Sequence, residues 1–225
     1  MRFDLVIFDC DGVLVDSEAM STRAHAEALT RHGYPITRDE VLKRFLGVSD
    51  REARLMVERE LGRKLPEDFD EQVRRETLRT AGDPPGIAHV GEAIAAIVLP
   101  KCVASSGTPD KISHGLTCAG LYDVLAPHLF SAVQVARGKP APDLFLFAAA
   151  SMNAVPKRCI VVEDSVPGVK GAIAAGMTVL GFHGGSHCSE GHAELLRAAG
   201  AAVTFDDMRR LPALIAQVGA LATAG

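Results

Sequence analysis

The sequence predicts an α/β protein: a doubly wound, mainly parallel sheet into which a helical unit is inserted. Two observations predict it. Short apolar runs alternate with helix-length stretches over most of the chain, the pattern of βαβ units. Charge then divides the chain, because residues 15–85 hold 13 Lys/Arg and 15 Asp/Glu while the other 154 residues hold only 24 charged residues. Glycine runs the other way, with 4 in the charged segment and 17 outside it. At 225 residues the chain has room for one large or two small domains. The expected organisation is therefore a core domain of 1–14 and 86–225, with an inserted helical domain of 15–85.

The elements follow in chain order. Leu5–Phe8 is the first strand, a continuous apolar run suited to burial on both faces. In the insert, Ser17 is placed to cap a helix running to about His32, with Gly33 as its stop. Ser49 followed by Glu52 has the capping-box spacing. Ala53, Met56, Val57 and Leu61 recur at helical spacing after it, and Gly62 ends the run. Pro66 opens a further helix with Phe69, Val73 and Leu78 on one side. Gly82-Asp83-Pro84-Pro85-Gly86 returns the chain to the core. Beyond it, strands are expected at Cys102–Ala104, Leu129–Val133, Cys159–Val162, Thr178–Phe182 and Ala202–Phe205. Helices are expected at Val90–Val98, Pro109–Ala119, Pro142–Met152, Gly168–Ala175, Glu190–Ala199 and Met208–Val218.

Composition narrows the function. A net charge of −4 argues against a nucleic-acid or anionic-membrane partner bound through bulk charge. No run reaches about 18 consecutive apolar residues, so no membrane span is expected. The first eleven residues lack the basic start and long apolar centre of a signal peptide. Five cysteines, odd in number, scattered and without a CxxC pair, suggest free thiols in a reducing compartment and a cytoplasmic location. His187, Cys188 and His192 read as a polar surface loop, because no fourth ligand stands at metal-site spacing.

In parallel sheets, ligands sit outside the carboxyl ends of the strands. The first strand ends in Asp9-Cys10-Asp11-Gly12, a second in Ser105-Ser106-Gly107 and another in Glu163-Asp164-Ser165, while Gly138-Lys139-Pro140 precedes a helix. Four acids converging there repel one another unless a hard divalent cation, for which Mg²⁺ is the natural choice, lies among them. A lysine and a serine beside that ion make a site for a small anion, best matched by phosphate. Asp9 and Asp11 flank one residue, near enough for one to attack while the other handles a proton. Phosphoryl transfer through an aspartyl-phosphate is the chemistry this set can do.

These residues also carry a resemblance. Phe8-Asp9-Cys10-Asp11-Gly12-Val13-Leu14-Val15-Asp16-Ser17 resembles the signature of the haloacid dehalogenase superfamily. Ser105 is similar to its second motif, Lys139 in Gly-Lys-Pro-Ala-Pro-Asp to its third, and Glu163-Asp164-Ser165-Val166-Pro167-Gly168 to its fourth, in order over nearly the whole chain. The resemblance implies a Rossmann-like core with a helical cap at 15–85. It implies Asp9 as nucleophile and Asp11 as general acid, then base, with its main-chain carbonyl on the metal. Ser105, Ser106 and Lys139 become the phosphate-binding residues. The Mg²⁺ ligands become Asp9, Asp11, Glu163 and Asp164, with Glu163 acting directly or through water.

Single positions separate the chemistries of that superfamily. The dehalogenases lack an acid at the position of Asp11, and the phosphonate-cleaving members replace it, so both are disfavoured. Phosphoacceptor receiver modules are about half this length and place the acceptor on a middle strand. A catalytically retired relative is less readily excluded, although every catalytic position is filled. β-Phosphoglucomutase-like mutases are nearer, and Gly47-Val48-Ser49 resembles their cap loop. Where they carry histidine, lysine and arginine, however, this chain has Ser21, Leu46 and Asp50. The opening segment and the Lys43-Arg44-Phe45 loop look more like 6-phosphogluconate-type phosphatases. The expectation is a phosphatase acting on a small phosphorylated sugar or sugar acid, as a monomer or weak homodimer, with mutase activity as the alternative.

Overall fold

The computed structural model describes residues 3–221. Six strands form one all-parallel sheet: β1 (Leu5–Phe8), β2 (Lys101–Ser105), β3 (Leu129–Ser131), β4 (Cys159–Glu163), β5 (Thr178–Phe182) and β6 (Val203–Phe205). Their order is β3-β2-β1-β4-β5-β6, so the chain winds outward from β1 in two directions. β1 pairs with β2 through Ile7 opposite Cys102, and with β4 through Ile7 opposite Val161. The switch in winding direction at β1 opens a crevice at the carboxyl end of that strand.

Alternation along the strands builds two cores. Val6 and Phe8 of β1, with Ile160 and Val162 of β4, face one layer. That layer is made by α5 (Val90–Ala96), α6 (Pro109–Cys118), α7 (Tyr122–Leu125) and α11 (Leu211–Leu221). Leu5, Ile7, Cys159 and Val161 face the other, made by α8 (Asp143–Ser151), α9 (Val166–Ala174) and α10 (His192–Ala199). Every residue of β1 and β4 is buried, as the unbroken apolar runs require.

Between β1 and α5 the chain forms α1 (Glu18–Arg31), α2 (Arg38–Phe45), α3 (Asp50–Leu61) and α4 (Phe69–Ala81). Ala24, Ala28, Leu29, Val57, Leu65, Phe69 and Val73 give these helices a core of their own. The short helix α2 is absent from the sequence expectations. Thr37 and Glu40 nevertheless form a full capping box, a pattern legible in the residues themselves.

Element ends depart from expectation for local reasons. Ser17 stands at the N-cap position of α1 as expected, but its hydroxyl is committed to Asp11 and makes no capping hydrogen bond. Pro66 starts a turn closed by Phe69 N–H on its carbonyl, and the helix begins only at Phe69. The strand at Leu129 stops at Ser131, which caps a 3₁₀ turn over Ala132–Gln134. α9 starts two residues early because Ser165 caps it by accepting from Gly168 N–H at 3.1 Å.

Glu58 fastens the turn between α3 and α4. Its carboxylate, almost fully buried, accepts from Arg54 Nε at 3.1 Å, Lys64 Nζ at 2.8 Å and Leu65 N–H at 3.0 Å. Those donors, Lys64 foremost, pull its pKa from 4.5 down to about 2. A carboxylate depressed on folding contributes stability above its unfolded pKa and loses it as pH falls through its folded pKa. Glu58→Gln should therefore lower the melting temperature near neutral pH, with the gap to wild type closing as pH falls from 4.5 towards 2. Thermal denaturation followed by circular dichroism measures the gap; one that stays constant over that range contradicts the assignment.

Candidate active site

The loop after β1 is shaped for close approach. Gly12 N–H bonds to Val15 carbonyl at 2.7 Å, while Leu14 and Val15 N–H both reach Cys10 carbonyl. Gly12 has φ +80°, and a Cβ there would fall 2.0 Å from Asp164 Oδ2. Glycine is thus required by both conformation and space. The turn brings the acids of β1 against those of β4.

Lys139 lies at the centre. It is 1% exposed, on the segment entering α8, and its Nζ is 2.7 Å from Asp9 Oδ1 and 2.5 Å from Glu163 Oε1. Burial alone would lower the ammonium, but Asp9 and Glu163 outweigh it and hold the lysine charged above its usual range. The other oxygen of Glu163 accepts from Ser165 N–H and Oγ, both at 2.9 Å. Gly168 leaves room for this carboxylate, since a Cβ there would lie 1.8 Å from Glu163 Oε1. Burial, with Glu163 and Asp164 nearby, pushes Asp9 well above the usual carboxylate range against the pull of Lys139. Burial and Glu163 do the same to Asp164.

Asp11 lives differently. Ser17 donates to its Oδ1, and Lys111 Nζ stands 3.2 Å from its Oδ2. Asp11 lines a cavity together with Asp9, Ser105, Ser106, Ser21, Leu46 and Asp50. Ser105 is buried and accepts from Gly107 N–H at 3.0 Å. Ser106 instead donates at 3.0 Å to the carbonyl of Gly47, on the loop between α2 and α3. Gly47 has φ +75° and packs so tightly on Ser165 that a Cβ would lie 2.2 Å from its Oγ. The helical insert thus touches the strand ends at Gly47, and again where the Glu52 carboxylate lies against Gly138.

Asp9, Glu163 and Asp164 each offer an oxygen within 4.8 Å of the others, so these three could hold a divalent cation. Asp164 Oδ2 is buried with no hydrogen-bond donor, an orphan that such an ion would satisfy. The Asp11 side chain does not join this trio.

Sequence reasoning missed several residues here. Lys111 stands in the first turn of α6, where a cation opposes the helix dipole, and that misfit was the available signal. Burial disfavours its charge, but Asp11, Asp50 and Glu18 hold the ammonium above its usual range. Glu18 is pushed up to about 8 by burial and then by Asp11. The loop at His187 is not the polar surface loop expected. His187 and His192 are buried; His192 Nε2 donates to Asp164 carbonyl at 2.6 Å, and His187 Nε2 lies 2.8 Å from Asp164 Oδ2.

Acids, a hydroxyl and a buried lysine are gathered at the switch point of a Rossmann-like parallel sheet, the place where such folds bind ligands. The chain belongs to the haloacid dehalogenase-like hydrolase family, whose profile matches residues 3–176. It is 34% identical over 215 residues to 6-phosphogluconate phosphatase of Escherichia coli, covering 95% of both chains. Among solved structures, it is similar to a haloacid dehalogenase-like protein of unknown function from Agrobacterium tumefaciens. That match has 41% identity and a TM-score of 0.80, over 96% of this chain and 99% of the other. A family hydrolase from Deinococcus radiodurans, with phosphate and sodium bound, matches at 30% identity and a TM-score of 0.73 over 97% of both chains.

Lys139→Met removes the cation between two buried carboxylates and leaves them facing each other. Breaking a buried pair in this way costs about 3–5 kcal/mol. The metal-free variant should lose stability of that order in urea denaturation; a midpoint unchanged from wild type would show that Lys139 is not what holds Asp9 and Glu163 together.

Proposed function

We propose that the protein is a Mg²⁺-dependent phosphatase that hydrolyses a small phosphorylated metabolite, a sugar or sugar-acid phosphate, through an aspartyl-phosphate on Asp9. One observation carries this: two aspartates two residues apart stand in unlike surroundings, Asp9 buried against Lys139 and Asp11 held by Ser17 and Lys111 at the cavity edge. Such a pair divides labour between nucleophile and proton carrier.

On this reading the Asp9 carboxylate attacks phosphorus, and the ester P–O bond breaks as the new bond forms. Asp11 protonates the departing alkoxide. It then takes a proton from the water that attacks the phosphoaspartate, releasing inorganic phosphate and restoring Asp9. Ser105 and Lys139 hold phosphoryl oxygens, and Ser106 joins them by exchanging its bond to Gly47. Mg²⁺ would be held by Asp9, Asp164 and the main-chain carbonyl of Asp11, with Glu163 direct or through water. Bound there, it offsets the charge of the phosphoryl oxygens and of Asp9.

The donor set supports that ion, because it comprises carboxylates kept high by burial and then by one another, and one oxygen that makes no aligned hydrogen bond. The insert of 15–85 acts as the cap that excludes water, meeting the strand ends at Gly47. The substrate class is supported by the name of the Escherichia coli relative and by the phosphate bound in the Deinococcus structure. Ser21, Leu46 and Asp50 line the cavity at the positions where the mutases carry histidine, lysine and arginine, which supports water rather than a sugar as the acceptor, although Arg54 and Lys111 also line it.

Screening phosphorylated sugars and sugar acids for phosphate release tests the reading. Release should require Mg²⁺, vanish in excess chelator and fall to background in Asp9→Asn. With β-glucose 1-phosphate and a trace of the 1,6-bisphosphate, accumulation of glucose 6-phosphate faster than phosphate would make the protein a mutase instead.

Asp11→Asn keeps the nucleophile and removes the proton donor. Hydrolysis of alkyl phosphates should fall by roughly the 10²–10⁴-fold of general acid–base catalysis. Aryl phosphates, whose leaving groups need less protonation, should lose much less. Steady-state kcat on the two substrate types decides it, and equal losses would remove Asp11 from the role.

A further inference from the structure

His187, Cys188 and His192 stand outside the proposed phosphoryl chemistry, yet the fold gathers them deliberately. His187 and Cys188 lie on the loop after β5, and His192 is the first residue of α10. The two imidazoles meet edge to face, with centroids 5.8 Å apart at 87°. Room for His187 comes from Gly185, where a Cβ would lie 2.7 Å from the ring. Cys188 Sγ is 3.4 Å from His187 Nε2. One ligand atom from each of the three residues lies within 4.8 Å of the other two.

A second observation points to a ligand. The His187 side chain is 0% exposed and turns its Nε2 towards Cys188. His192 donates its Nε2–H to the carbonyl of Asp164 at 2.6 Å, the outer hydrogen bond that orients a metal-binding imidazole and leaves its other nitrogen free to bind. Asp164 Oδ2 lies 2.8 Å from His187 Nε2 and makes no aligned hydrogen bond. That oxygen is the candidate fourth ligand that residue spacing along the chain could not supply.

We propose that His187, Cys188 and His192, completed by Asp164, form a second metal site that takes Zn²⁺. Two nitrogens, a sulfur and a carboxylate oxygen are the donor set of a tetrahedral borderline ion, and not of Mg²⁺. Ligands about 2.0–2.3 Å from a zinc stand roughly 3.3–3.8 Å apart, so His187, Cys188 and His192, whose ligand atoms lie within 4.8 Å of one another, close on one ion with movements of about 1 Å. The thiol gives up its proton on binding. Because Asp164 serves both sites, Zn²⁺ and Mg²⁺ oppose each other. This last coupling rests on the Mg²⁺ reading above, whereas the zinc site itself does not.

Metal-free protein titrated with Co²⁺, a spectroscopic stand-in for Zn²⁺, separates the two claims. One equivalent should give the near-ultraviolet charge-transfer absorption of a cobalt thiolate. It should vanish in Cys188→Ser and persist in Cys118→Ser, which alters the separate cluster of Asp83, His114 and Cys118. Zn²⁺ affinity, measured against a chromophoric chelator, should fall in His192→Gln by more than the 10–100-fold that losing a merely supporting residue costs. Absence of the band, or its survival in Cys188→Ser, overturns the site even if the protein proves to be a Mg²⁺ phosphatase. Saturating Mg²⁺ should weaken Zn²⁺ binding by about 5–150-fold, and by linkage Zn²⁺ should weaken Mg²⁺ by the same factor. Zn²⁺ affinity indifferent to Mg²⁺ would overturn the shared use of Asp164.

Discussion

The ammonium of Lys139 is the point on which the carboxyl end of this sheet depends. It is buried between Asp9 and Glu163, carboxylates that come from adjacent strands and would otherwise repel across a dry interior. A buried ion pair gives little net stability when set against an apolar substitute. What it gives here is placement: one oxygen of Asp9 is fixed by Lys139, and Glu163 is fixed from both sides, by Lys139 and by the N-cap residue of α9. Gly12 and Gly168 complete the arrangement by omission, since any side chain at either position would occupy carboxylate space.

Topology decides which strands can contribute. Because the winding direction changes at β1, the loops following β1 and β4 diverge and leave a crevice between them. Asp9 and Asp164 follow those two strands, and Ser105 ends β2 on the other side of β1. The outer strands β3 and β6 end away from this crevice and have short ladders. Even so, Ser131 of β3 supports the set, donating at 2.5 Å to the carbonyl of Gly107 behind Ser105.

The helical insert meets the strand ends at Gly47, whose carbonyl takes the Ser106 hydroxyl and whose bare Cα lets the loop seat on Ser165. Lys111 adds an electrostatic tie, as the core cation that faces Asp11 along with Glu18 and Asp50 of the insert. Opening the two units would expose a lysine with its acids separated. On the proposed reading, closure and the placement of the proton carrier are therefore linked through one side chain. His187 and His192 make a third layer behind Asp164, holding its carbonyl and approaching its carboxylate.

The sequence by itself determined the parallel sheet, the all-helical insert and the acids, serines and lysine at the strand ends. Apolar runs such as Leu5–Phe8 and Cys159–Val162 admit only strands buried on both faces, and polar residues that follow them must lie at a sheet edge. Element ends were less legible, because side chains such as Ser17 serve either a local cap or a distant partner, and periodicity does not distinguish the two. Tertiary structure alone decided that Asp11 pairs with Lys111, that Ser106 bonds to Gly47 and that His187 closes on Asp164. Each joins segments 59 to 100 residues apart, or 23 in the last case. Local propensity and spacing carry no information about such contacts, which are set by how the packed layers bring separate strand ends and loops to one place.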